Sequence, residues 1–382
     1  MNCKSLLRAV TLVFLLLVFP AQGRCFTKIS TSGFGNADNV EILRMVPFNS
    51  KVYAGTWKST VVTGGEIWSS ADVDSATPIW QKTGLDGFGD VNNEGVIVMN
   101  ILNGWLYATT INGSTGLEVW RTGDGTTWTQ VNTDGFGDAN NESAQGGSVF
   151  GSYLYFGAFN TTTGGEIWRT GDGTTWTQVN TDGFGDVNNE AADALTVFGS
   201  YLYATTYNAT TGVEIWRTSN GTNWTQVNTD GFGDPNNIGA FVLVALNGFL
   251  YVGTVNDTTG AEMWRTSDGS TWTQVNADGF GYIQNEAVSG GVVHNNKLFI
   301  TTDNLWRGIQ VWWTQDGTTW NQVVNNGIDG YYNYAGYAML SYGTQLLVGT
   351  SNIFTGAEVW ADKGYSLATG GGGGGGCFIS AL

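Results

Sequence analysis

The chain has 382 residues, of which 12% are charged, and carries 15 Lys plus Arg against 32 Asp plus Glu for a net charge of −17. Such a surface repels phosphate backbones, so nucleic acid is excluded as a natural partner. Three cysteines are too few for a disulfide scaffold, and a single histidine rules out a zinc site and leaves Ser-His-Asp or Cys-His chemistry without support.

In chain order, Lys4 and Arg8 precede an apolar run over 9–19 and the small-residue site Ala21-Gln22-Gly23. Residues 1–23 therefore read as a signal peptide, the run being too short to span a bilayer. Their removal takes the net charge to −19 and leaves Cys25 and Cys377. No other run approaches the length of a transmembrane helix. The mature protein is expected to be secreted, extracellular or held at the cell surface.

From there to residue 363 the chain repeats. Trp68, Trp120, Trp168, Trp216, Trp264, Trp312 and Trp360 are spaced by 52 once and then by 48 five times. A second tryptophan recurs at Trp80, Trp128, Trp176, Trp224, Trp272 and Trp320, with no copy after Trp360. The missing copy stands at the other end: Phe26-Thr27-Lys28-Ile29-Ser30-Thr31-Ser32-Gly33-Phe34-Gly35 aligns with Trp128-Thr129-Gln130-Val131-Asn132-Thr133-Asp134-Gly135-Phe136-Gly137. A unit divided between the termini is what a closed ring requires. Within unit 4, alternating apolar residues and Gly/Asn/Thr turn clusters predict four short strands over 194–198, 201–206, 213–218 and 224–228. The fold class is all-β: a seven-bladed β-propeller of four-stranded antiparallel blades over 24–363, closed by the mature N-terminal strand. Tryptophans at a fixed strand position are expected to fill the gaps between blades.

The turn between third and fourth strands, Thr122-Gly123-Asp124-Gly125-Thr126-Thr127-Trp128 and its copies, resembles the Asp-box hairpin of sialidase-like and sortilin-like propellers, with one residue fewer between Asp and Gly. The resemblance implies a structural turn away from the ligand face. On the other face lie the loops between blades, Asp134-Gly135-Phe136-Gly137-Asp138-Ala139-Asn140-Asn141-Glu142 and its copies, and the loops between second and third strands, Asn160-Thr161-Thr162-Thr163-Gly164 followed by Glu166. Oxygen-rich side chains on that face are open to two readings. Asp138, Asn140 and Glu142, with Asp186, Asn188 and Glu190, offer the ligand types that calcium takes. The same residues also suit tight turns bonded to their own backbone.

The repeat decays where units 6, 7 and 1 meet. The second-to-third-strand loop becomes Asn304-Leu305-Trp306-Arg307-Gly308 in unit 6 and Asn352-Ile353-Phe354-Thr355-Gly356 in unit 7, and in unit 1 it is two residues longer and carries Trp57 and Lys58. The loops between blades bring Tyr282, then Tyr331, Tyr332 and Tyr334. Trp57, Lys58, Tyr282, Trp306, Arg307, Tyr331, Tyr332, Tyr334 and Phe354 are thus expected to form a ligand patch on the acidic loop face, suited to a glycan or protein. Arg121, Arg169, Arg217 and Arg265 occupy one repeated strand position and cannot converge on a substrate carboxylate. The expectation is a non-enzymatic, multivalent binding propeller. A structural spacer of the cell envelope and a carbohydrate-active enzyme built on paired carboxylates are the alternatives.

Seven glycines over 370–376 end a linker that spans 364–376, before the tail Cys377-Phe378-Ile379-Ser380-Ala381-Leu382. The tail resembles the CFI-box sorting signal of some bacterial surface proteins, which implies envelope anchoring through Cys377. A free thiol and a disulfide to Cys25 are the other readings of this cysteine.

Overall fold

A computed structural model describes residues 26–60 and 63–362. The leader, the glycine linker, the tail and both mature cysteines, Cys25 and Cys377, lie outside the described residues. The described residues form 28 strands arranged as seven blades of four. Blade 4 consists of Ala191–Phe198, Tyr201–Tyr207, Ile215–Thr218 and Thr225–Gln226. Its antiparallel register runs through Val197↔Leu202, Tyr203↔Arg217 and Arg217↔Thr225. The innermost strand starts three residues earlier than the apolar pattern predicts, because Ala191 pairs across the blade boundary with Phe159. The second strand is buried from Leu202 to Thr206 on both sides, since each face is covered by a neighbouring blade.

The ring closes as the split repeat requires. Phe26–Lys28 forms the fourth strand of blade 7, with Phe26↔Asp362, Thr27↔Ala361 and Lys28↔Trp360. Near the axis, Glu41↔Ser351 joins blades 7 and 1. Seven apolar clusters hold the blades together, each spanning one interface; Ile29, Ile42, Leu347 and Val359 belong to the one that seals the ring.

Both tryptophan sets serve these interfaces. Phe136, from the turn Asp134–Gly137, stacks on Trp168 at 4.5 Å between ring centroids and packs tilted on Trp176 at 5.4 Å. Its backbone has φ of 57°, a left-handed conformation that costs a non-glycine residue about 1 kcal/mol, which the stacked ring offsets. The outer tryptophans reach backwards: Trp176 Nε1 donates to Val131 O at 3.0 Å and Trp80 Nε1 to Ile29 O at 2.8 Å. The second bond ties blade 1 to the closing segment. The loop between blades meets the second-to-third-strand loop backbone to backbone. A Cβ on Gly116 would lie 2.6 Å from Gly135 Cα, which is why both positions are glycine.

Candidate functional site

The loop face is built on a repeated polar chain that starts inside the blade. Trp168 Nε1 donates to Glu166 Oε2 at 2.7 Å, Asn141 Nδ2 donates to the same oxygen at 2.7 Å, and Asn160 Nδ2 donates to Asn141 Oδ1 at 3.0 Å. Asn160 Oδ1 then accepts from the backbone N–H groups of Thr162 and Thr163 and fixes the loop. Glu166 is buried, as are its counterparts Glu118, Glu214 and Glu262, so this part of the expected acidic ring lies inside the blades. Burial raises all four carboxyls above the ordinary glutamate value despite the hydrogen bonds they accept.

The aspartates and asparagines considered for calcium are engaged in hydrogen bonds of their own loops. Asp138 Oδ1 accepts from Asn140 N and Nδ2, and its Oδ2 accepts from Asn160 Nδ2 at 3.2 Å. Asp186 repeats the pattern with Asn188, and through Oδ2 with Asn208. The carbonyls of Glu142 and Glu190 take backbone bonds from Asn112 and Asn160. Among the described residues no three His, Cys, Asp or Glu side chains converge. Turn chemistry accounts for the aspartates and asparagines. The hairpin aspartates behave alike on the opposite face: Asp124 Oδ1 accepts from Thr126 N and Thr127 N at 2.7 Å, and these bonds hold its carboxyl far below the ordinary range.

The expected ligand patch divides into three parts. Trp57 and Lys58 end the strand Lys51–Lys58 and are not in the loop. Lys58 is 1% exposed and its Nζ pairs with Glu66 Oε1 at 2.9 Å, so it is a structural ion pair and not a ligand contact. Trp57 and Tyr334 turn towards the axis: Trp57 lines the central channel, and Tyr334 Oη donates to Glu41 Oε1 at 3.1 Å. What remains outside is an aromatic crest over blades 6 and 7. Trp306 is 78% exposed and Phe354 63% exposed. Tyr332 packs on Tyr331 at 4.3 Å and on Phe354 at 4.9 Å. Exposed Leu305 and Ile353 extend this surface. The exposed Arg307 lies 4.3 Å over the half-buried Tyr282 ring at the crest's flank. Trp306 and Phe354 occupy the register position that holds Thr162 in blade 3. Their backbones are fixed by the same asparagine caps, from Asn304 and Asn352. A held backbone with an outward ring displays that ring to solvent.

The cations of the repeated strand positions are structural. Arg121, Arg169, Arg217 and Arg265 lie 4.3–4.6 Å over Trp105, Tyr153, Tyr201 and Phe249. In blade 6 the pair is exchanged, with Lys297 3.8 Å over Trp313. His294 is buried, with Ser341 and Asn295 on its ring nitrogens.

The channel itself is a second concave region, with a volume of about 710 Å³. Its wall is set by one register position of the inner strand, occupied in turn by Leu43, Ile97, Gln145, Asp193, Phe241, Ser289 and Tyr337. Glu41, Arg44 and Glu190 join them. Tyr337 Oη donates to Asp303 Oδ2 at 3.1 Å behind this wall. Sequence reasoning missed the channel, although the signal was present: the position holds seven different residues in seven copies.

No protein-family model matches the chain, and no curated protein sequence is similar to it. Solved structures are. The WD40 propeller domain of Doa1 has 10% identity and a TM-score of 0.55, covering 89% of this chain and 98% of that one. The Neurospora crassa Pan2 WD40 domain has 9% identity and a TM-score of 0.56, covering 90% and 97%. Saccharomyces cerevisiae Sqt1 has 12% identity and a TM-score of 0.51, covering 89% and 98%. At these identities the likeness is one of fold: the protein is a β-propeller.

Proposed function

We propose that this protein is a secreted or cell-surface, non-catalytic binding propeller that takes a carbohydrate on the aromatic crest of blades 6 and 7. The observation that carries this reading is the crest itself: Trp306 and Phe354 are exposed on capped loops where blades 2 to 5 carry Ser or Thr, and beside them the loop entering blade 7 exposes Tyr331 and Tyr332 where the loops entering blades 2 to 5 carry Val, Ala or Pro and then Asn. Large exposed rings do not stabilise the fold, and an unstrained display of them fits stacking on sugar faces. Arg307 at the flank supplies hydrogen-bond donors. Anchoring in the envelope through the tail at Cys377 rests on the sequence resemblance alone.

The test is retention of the mature protein on a glycan panel, compared with W306A/Y332A/F354A and with EDTA present. The crest reading expects wild-type retention on at least one glycan, at least a tenfold loss in the triple variant with an unchanged circular dichroism spectrum, and no effect of EDTA. No retention on any glycan, or equal retention by the variant, refutes it; capture of a protein partner through the same rings would replace the sugar.

A further inference from the structure

The central channel holds opposite charges that do not meet. Asp193, on the inner strand of blade 4, is 6% exposed, lines the cavity, and its Oδ2 has no hydrogen-bond partner. Arg44, half-buried on the inner strand of blade 1, lines the same cavity, and no hydrogen bond or ion pair to it is found among the described residues. Burial alone lowers the Arg44 guanidinium from its ordinary value, and no neighbouring anion compensates. Among the other carboxylates near the wall, Asp303 Oδ1 is also without a partner, but Asp303 does not line the cavity. Asp303 accepts from Tyr337, and Glu41 accepts from Tyr334. Glu190 sits on the Asp193 side, where both carboxylates act on Tyr207. The cavity therefore has a negative pole at Asp193 and Glu190, a positive pole at Arg44, and apolar walls from Leu43, Ile97, Phe159 and Phe241 between them.

A charge drawn out of water without a partner is destabilised, and a ligand that supplies the partner relieves that penalty. A simple cation would satisfy Asp193 and be repelled by Arg44. A simple anion meets the reverse difficulty. We propose that the channel binds a small zwitterion, a free amino acid or short peptide, whose ammonium group pairs with Asp193 and whose carboxylate pairs with Arg44. The apolar wall takes its side chain, and the volume lies within the range of small-molecule sites.

The experiment is a thermal-shift screen of the mature protein with the twenty amino acids and a set of dipeptides at up to 10 mM, followed by calorimetry of the best binder. Its decarboxylated amine and its deaminated acid are the probes of each pole. The zwitterion is expected to bind wild-type protein at least tenfold more tightly than either single-charge probe. R44M should remove its advantage over the amine, and D193N its advantage over the acid. W306A/Y332A/F354A should leave the affinity unchanged, which separates this site from the crest. If R44M does not fold, the comparison of probes on wild-type protein decides alone. The proposal is overturned if no zwitterion in the set shifts the melting temperature, or if the single-charge probes bind as tightly as the zwitterion.

Discussion

A single substitution within the repeat shows what each blade demands of its residues. Blades 1 to 5 and 7 place a glutamate two residues before the third-strand tryptophan, and its Oε2 accepts the indole N–H. Blade 6 has Gln310, whose Oε1 accepts from Asn285 at 3.1 Å and Gln322 at 2.8 Å. Gln310 Nε2 and Trp312 Nε1 are then both buried without a partner. A buried polar group left unsatisfied costs about 1–3 kcal/mol. Replacing Gln310 by Glu removes one orphan donor and gives the other an acceptor, against the cost of burying a carboxylate. Q310E is expected to stabilise the protein by about 1 kcal/mol, seen as a higher urea midpoint with an unchanged slope. A lower midpoint would show that desolvation of the new charge outweighs the bond.

At the scale of elements, the closing strand is where sequence and structure agree most closely. The match of 26–35 to 128–137 identifies the missing strand from sequence, because a repeat fixes the role of each position by its copies. The same logic read the tryptophans correctly but misplaced Trp57 and Lys58: unit 1 is longer than its copies, so alignment alone could not tell strand from loop, and the Lys58–Glu66 pair has no counterpart in the other units. The channel escaped for a related reason. Repeat reasoning attends to what recurs, and Asp193 and Tyr337 lie at a position where nothing does. The closing strand carries a clear prediction. Removing 24–32 takes away the Phe26–Lys28 ladder, buried Ile29, the acceptor of Trp80, and the 2.7 Å bond from Lys28 to Glu358. Burial raises the Glu358 carboxyl, and Lys28 and Ser32 are among the groups whose bonds bring it below its ordinary value. Burial of Ile29 and the lost bonds together are worth on the order of 5 kcal/mol. The truncated chain should melt at least 10 °C lower by calorimetry and regain part of that loss when the peptide 24–32 is added. An unchanged melting temperature would falsify closure by this strand.

For the molecule as a whole, the ring of blades concentrates carboxylates at its axis, and this sets how stability responds to pH. Burial raises Asp193 to about 7. Burial also raises Asp303 to about 7, against hydrogen bonds from Ser289 and Tyr337 and with the charges of Glu41 and Glu286 adding to it. An ordinary aspartate in the unfolded chain loses its proton near pH 4. Between pH 4 and 7 the folded protein therefore holds more protons than the unfolded chain, and stability falls as pH rises. For Asp193 the full shift amounts to on the order of 4 kcal/mol. The buried glutamates of the blades, raised by the same cause, add to the slope. The hairpin aspartates Asp124, Asp172, Asp268 and Asp316 are shifted down instead, first by backbone hydrogen bonds. Their stabilisation is complete above pH 4 and is lost only in stronger acid, outside this window. Repulsion within a chain of net charge −17 acts in the same direction as the axial carboxylates. The melting temperature is thus expected to peak between about pH 4 and 5 and to decline steadily to pH 8, with D193N showing a shallower decline because it removes one of the raised groups. A wild-type profile that is flat from pH 5 to 8 would mean that the axial carboxylates are solvated by channel water, and the unpaired charge at Asp193 would then exert no pull on a ligand.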